Sequence, residues 1–185
     1  GNTSEEFLEK IREAGFDVEE KGSDIYYPEG KHIFAMFLDG KWYKLTARDS
    51  IIPDHVTESL DVAVLQNSLL HPILGIEDPR TDKRIDFVGG IRGLEELEKR
   101  VNDDMEVAFA VYPVDVDDLL RVADNNMVMP PKSTWFEPKL GSGLFLIGII
   151  ILYDITGHLL IPNIAESVTN LVANGEYPVP LLISA

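Results

Sequence analysis

The chain contains no cysteine, which excludes disulfides and thiolate metal sites. It is also poor in cations: sixteen Lys and Arg stand against thirty-two Asp and Glu, for a formal net charge of -16. Nucleic acid is a dense line of negative charge, and proteins that bind it gather Lys and Arg on one face. The balance here argues against nucleic-acid binding by this segment. Basic groups do collect at Arg80, Lys83 and Arg84, but Asp78, Asp82 and Asp86 are interleaved with them. The four histidines, His32, His55, His71 and His158, lie far apart and form no metal-type pair at helical spacing. They read as ordinary surface or core residues, and no metal site is expected. No apolar run reaches the ~20 residues of a membrane-spanning helix. Leu144 to Tyr153 is almost continuously apolar, yet Asp154 and His158 interrupt it, so a buried strand is the better reading. No signal peptide is visible, which points to a cytoplasmic location. The start at Gly1, followed by Asn2, Thr3 and Ser4, points to a trimmed piece of a longer protein.

What is present has the balance of a globular domain: 45% hydrophobic and 26% charged residues in a chain of 185. Ser4-Glu5-Glu6-Phe7-Leu8 opens a helix, with a polar cap, early acids and apolar Phe7, Leu8 and Ile11 at helical spacing; Gly15 ends it. Phe16 to Tyr27 reads as irregular or short strand. The clearest local signal is His32 to Leu38, then Asp39-Gly40, then Lys41 to Thr46: two β-rich runs around a type I′ turn, whose two residues both need positive φ. The first strand is apolar on both faces and should be covered on both; the second carries Lys41 and Lys44 and should be more exposed. Leu60 to Leu70 is a helix apolar around most of its circumference, stopped or kinked at His71-Pro72.

A polar loop runs from Ile76 to Lys83. Then comes an alternation: strand Ile85 to Val88, helix Gly93 to Val101, strand Met105 to Tyr112, and a helix capped by Asp115 that runs to about Ala123. Such an order predicts βαβ units with at least partly parallel strands. The expected fold is α/β (α+β), a mixed β-sheet with an Asp-Gly β-hairpin and flanking helices. From Leu140 to Ala185 no Lys or Arg occurs, and only Asp154, Glu166 and Glu176 carry charge. In this stretch Ile164 to Ala173 reads as a helix ahead of Pro178 and Pro180.

Three places carry candidate chemistry. Val88-Gly89-Gly90-Ile91-Arg92-Gly93 lies between a strand and a helix, where Gly89 and Gly90 would let backbone N–H groups approach an anion and Arg92 would add charge. It departs from the dinucleotide fingerprint in glycine spacing, and Glu95 and Glu96 stand in the first helical turn; a plain tight turn is the competing reading. In Met129 to Lys139, Lys132, Ser133 and Thr134 set one charge beside two hydroxyls, suited to a phosphate or carboxylate. The competing reading is a proline-stiffened connector anchored by Trp135 and Phe136. Asp61, with Gln66 and Asn67 on the same buried helix, is either an acid favoured by the helix dipole or a catalytic carboxylate. No nucleophile–base pair can be assembled from spacing, and the catalytic residues stay unassigned.

Several segments together resemble a known family. They are Leu60-Asp61-Val62-Ala63-Val64-Leu65-Gln66, Ile85-Asp86-Phe87-Val88-Gly89-Gly90, Ala108-Phe109-Ala110-Val111-Tyr112-Pro113 and, most specifically, Met129-Pro130-Pro131-Lys132-Ser133-Thr134-Trp135-Phe136-Glu137-Pro138-Lys139-Leu140 with Ser142-Gly143-Leu144. They are similar to the C-terminal half of the uncharacterised bacterial and archaeal DUF 1015 family, often labelled ParB-like or chromosome-partitioning, over about residues 15–146. Family members more usually have His where Gln66 stands. The resemblance implies a family C-terminal α/β domain over residues 1–146 and a ParB-like N-terminal half elsewhere in the protein as its partner; residues 147–185, which the family does not explain, read as an apolar tail packed on the same domain. ParB-like folds include kinases acting on free serine, and family members often sit beside serine-biosynthesis genes. The resemblance thus implies an accessory domain of a small-molecule phosphotransfer enzyme, with a phosphorylated or amino-acid ligand and, for a kinase, nucleotide and magnesium. The alternatives are a non-catalytic interaction or regulatory module and a nucleic-acid-associated partitioning protein.

Overall fold

The structure, a computed structural model, describes residues 3–131, 133 and 179–183. The helices are α1 (Ser4–Glu13), α2 (Asp61–Leu65), α3 (His71–Leu74), α4 (Glu95–Asp103) and α5 (Val116–Asp124); the strands are β1 (Phe16–Gly22), β2 (Ile33–Leu38), β3 (Lys41–Ala47), β4 (Ile85–Phe87), β5 (Val107–Val111) and β6 (Val179–Ile183). Among the described residues these strands form one sheet in the order β1-β3-β2-β5-β6-β4. The α/β class, the Asp-Gly hairpin and the flanking helices are all present. In the turn Asp39 has φ 50° and Gly40 φ 75°, as a type I′ turn requires.

Local chemistry sets the helix ends. The Thr3 hydroxyl accepts from the Glu6 N–H at 3.2 Å while the Glu6 carboxylate accepts from the Thr3 N–H at 2.8 Å, a reciprocal cap at the start of α1. The Asp115 carboxylate accepts from the Asp118 N–H at 2.8 Å and starts α5. Pro72 does not stop the helix it follows. A proline has no N–H for the carbonyl four residues back, and the chain absorbs this by widening Gln66–Leu70 into a π turn before α3 resumes. Gly75, at φ 65°, ends α3, and the Arg84 guanidinium donates to the last carbonyls, Leu74 O at 2.9 Å and Gly75 O at 2.8 Å.

One expectation is corrected. The strands β4 and β5, joined through α4, do run in the same direction, but they are not neighbours: β6 lies between them, antiparallel to both. Every strand pair described is therefore antiparallel. The second hairpin strand is the more exposed of the two, through Lys41 and Lys44, although β1 pairs along its outer edge and takes the edge position itself. The strand expected at Leu144–Tyr153 and the helix expected at Ile164–Ala173 lie outside the described residues.

The period-two alternation of β2, β3 and β5 sorts their side chains onto two faces. Phe34, Met36, Tyr43, Leu45, Phe109 and Val111 pack with Phe7 and Ile11 of α1 and with Val64, Leu65, Leu69 and Leu70 of the second helical segment. The other face carries Ala35, Phe37, Trp42, Ala108 and Ala110 against Leu94 and Leu97 beside and within α4. The alanines there leave room for the fully buried Trp42, whose Nε1 donates to Glu98 Oε1 at 2.7 Å and so ties α4 to the sheet.

Candidate functional site

The second helical segment separates two concavities of different character. Its first residue, Asp61, faces a small polar cleft of about 60 Å³ with Lys31, His32, Ser59, Tyr112, Asp118 and Arg121 around it. The residues that follow, Val62, Ala63, Leu65, Gln66, Asn67 and Leu70, form one wall of a cavity of about 540 Å³. Phe87 of β4, Val111 of β5, the 77–80 loop and Pro130-Pro131 complete it. That volume lies in the range of small-molecule sites.

In the cleft Asp61 is 8% exposed. Its Oδ1 accepts the His32 backbone N–H at 2.9 Å, and the His32 ring Nδ1 stands 3.1 Å from the same oxygen without the orientation for a hydrogen bond, so that buried nitrogen has no partner. Burial pushes the Asp61 carboxyl up to about 7, the His32 N–H opposes this, and the nearby Asp118 adds to it. Burial, with Lys31 beside it, holds the His32 imidazole below its ordinary value. His32 sits at φ 63°, in the left-handed region, held by the Asp61 carboxylate on its N–H and by the Ala47 N–H, which donates to its carbonyl at 2.9 Å. Lys31 bridges Asp115 at 2.6 Å and Asp118 at 2.9 Å. Burial works against the Lys31 charge, but the two carboxylates more than offset it and its pKa is raised.

The cavity has few polar groups. Gln66 Nε2 donates to Ile76 O at 2.7 Å, which fixes the amide and leaves Oε1 buried without a partner. Arg80 is clamped on Asp78 through Nε at 2.9 Å and Nη2 at 2.8 Å, and this pairing lowers the Asp78 carboxyl to about 2.

Gly89, Gly90, Arg92 and Ser133 line neither the cleft nor the cavity. Gly90 to Arg92 form a 3₁₀ turn in which the Arg92 and Gly93 N–H groups donate to Gly89 O and Gly90 O, both at 3.0 Å, so these donors are spent inside the turn. The left-handed residue there is Gly93, at φ 74°, and a side chain on it would collide with the Glu95 carboxylate. Arg92 points outward, 3.9 Å from Glu96. Ser133 is buried, and its hydroxyl donates to Pro130 O at 2.6 Å. Lys132, Thr134, Trp135 and Phe136 lie outside the described residues. Among the described residues no group of three or more His, Asp or Glu is placed to hold a metal ion.

Spacing along the chain could not have paired His32 with Asp61, which are 29 residues apart and meet only through the sheet. No signal marked Phe87, Val111, Glu77 or Arg80 as cavity residues either. Of the arginines clustered in sequence, Arg80 is paired with Asp78 and Arg84 with Asp82, while Asp86 is held by Arg100 of α4. Among the described residues no helix is long and apolar enough to cross a membrane. No protein-family model, no curated protein and no solved structure matches the chain.

Proposed function

We propose that this chain is a small-molecule-binding domain with an accessory or regulatory role, its ligand held in the cavity beside α2. The observation that carries the reading is the cavity itself: about 540 Å³, walled by Val62, Ala63, Leu65, Leu70, Phe87, Val111 and three prolines, with a handful of polar groups. The self-paired arginines favour a small ligand over nucleic acid as the partner. In a phosphotransfer enzyme of the kind the family resemblance implies, this domain would hold the organic part of a substrate or effector, with the phosphate handled elsewhere.

A second reading has its own observation. The carboxyl of Asp61, near 7 and facing a cleft, has the proton affinity of a general acid or base at neutral pH. The two readings separate experimentally. A fragment panel screened by thermal shift against the full chain should give stabilising hits that Ala63→Trp abolishes and Asp61→Asn leaves intact. Hits lost with Asp61→Asn and kept with Ala63→Trp would move the site to the cleft.

A further inference from the structure

We propose that α5, with the chain reversal that ends it, is a docking face for a basic amphipathic helix of a partner protein. The residues of this face, Val116, Asp117, Leu120, Ala123, Asp124, Met127 and Val128, line neither the cavity nor the cleft.

Helical spacing gives α5 two apolar sides. Val122 is buried, and Asp118 on the same side is held by Lys31, so this side faces the body of the chain. Val116, Leu120 and Ala123 form a row on the outward side, where Leu120 is 51% exposed and Ala123 is open to water. The helix then closes on a left-handed Asn126, at φ 54°. The Asn126 N–H donates to Ala123 O at 2.9 Å and the Met127 N–H to Val122 O at 3.0 Å. Such a reversal commonly tucks the apolar residue that follows it against the last turn, but here Met127 is 37% exposed and Val128 87%. Three of the four exposed large apolar side chains among the described residues thus fall within residues 120–128. Backbone hydrogen bonds fix this stretch while its side chains stay in water, as at an interaction surface.

Charge decides the occupant. Asp117 lies three residues before Leu120 and Asp124 four after it, so acids flank the apolar row. Both are exposed and neither enters an ion pair among the described residues, whereas Asp115 and Asp118 are engaged by Lys31. The C-terminal end of the helix adds partial negative charge. A second copy fits poorly: an antiparallel pair would set acid flank against acid flank, and each copy carries a net charge of -16. An anionic membrane would be repelled in the same way. A helix whose apolar stripe is bordered by Lys or Arg answers both features, covering Leu120, Met127 and Val128 and pairing with Asp117 and Asp124.

Three peptides of about 14 residues, roughly four helical turns, serve as probes. One has Leu along one face and Lys elsewhere, the second has Glu in place of Lys, and the third has Ser in place of Leu. Each is titrated by NMR into the full chain at about 0.15 M salt, where long-range attraction is screened. The Leu/Lys peptide should bind, and the other two should be weaker by roughly tenfold or more in Kd. Leu120→Gln combined with Val128→Ser should weaken the Leu/Lys peptide about tenfold, and Asp117→Asn combined with Asp124→Asn about threefold. The proposal is overturned if the Leu/Glu or Ser/Lys peptide binds as tightly, if either variant leaves Leu/Lys binding unchanged, or if no peptide binds. A thermal midpoint lowered by about 5 °C or more in the Leu120→Gln, Val128→Ser variant would show the face already packed within the chain and overturn it too. So would a wild-type dimer in sedimentation that this variant dissolves, since the occupant would then be a second copy. The cavity reading is independent of all these outcomes and stands or falls on the fragment screen.

Discussion

The cleft and the cavity open beside the same short helical segment and are built in opposite ways. In the cleft the polar groups are crowded and mostly engaged: Lys31 with two aspartates, Asp61 with the His32 backbone, Asp115 with the start of α5. In the cavity they are sparse, and most of the wall is apolar. Engaged groups hold a fold in place, and unengaged ones are available to a visitor. Substitutions in the cleft should therefore move stability first, and substitutions in the cavity should move binding first.

The sharpest test of that contrast is pH. The folded value of Asp61, about 7, stands well above the ordinary 3.8, so between these values the folded chain keeps a proton that the unfolded chain has released. Its contribution is full below the unfolded value and is lost as pH rises through the folded one, a loss on the order of 4 kcal/mol by neutrality. Carboxyls held low by their partners, such as Asp78 and Asp82, pull the other way, so the readout is the difference between two proteins. Urea unfolding at pH 5, 6, 7 and 8 should show wild type losing stability relative to Asp61→Asn across this range. Parallel pH profiles for the two would refute a raised Asp61.

Lys31→Met should have the next largest effect. Among the described residues it leaves the nearly buried Asp118 with only Arg121, at 3.8 Å, as an ion-pair partner. The expected loss is about 1–2 kcal/mol, the lower part of the range for breaking a pair because Lys31 is 41% exposed. The same substitution should raise the Asp61 pKa further, since the Lys31 charge lowers it, and carbon-detected NMR of the Asp61 carboxyl reads this directly. An unchanged Asp61 titration would show that the cleft is not one electrostatic unit. The smallest stability effect should come from the cavity: Gln66→Leu loses the bond to Ile76 O but also removes the buried, partnerless Oε1, for a net change within about 1 kcal/mol. Urea unfolding reads the change, and a large stability loss would reverse the contrast.

The parts of this fold legible in the sequence are those decided by neighbours along the chain. Asp39-Gly40 names its own turn type, Asp115 caps the helix that follows it, and the alternation in Ile33 to Leu38 survives as two buried faces. What escaped reading is decided by distant partners. Val179–Ile183 contains Pro180, which argues against an interior strand; Pro180 pairs with Ala110 where β4 has already ended, so the missing N–H falls beside a gap in the sheet. The π turn at Gln66–Leu70 reconciles Pro72 with a continuing helix, and a local pattern shows only the proline. Of the candidate site residues, Asp61 could be suspected from its place at a helix start. Its near-neutral pKa comes from the burial that packing imposes, with Asp118 adding to it and the His32 N–H opposing it.

The position of β6 has a consequence for how the chain comes into being. Strands β1, β2, β3 and β5 can zip together as soon as residue 111 has left the ribosome, but β4 pairs only with β6. During synthesis of the next sixty-odd residues, β5 therefore carries an open edge of Val107-Ala108-Phe109-Ala110-Val111, fully apolar and shaped to accept any passing strand. Residues 179–183 act as a late-arriving seal: the last of the described strands to be made is the one that covers this edge and gives β4 its place in the sheet.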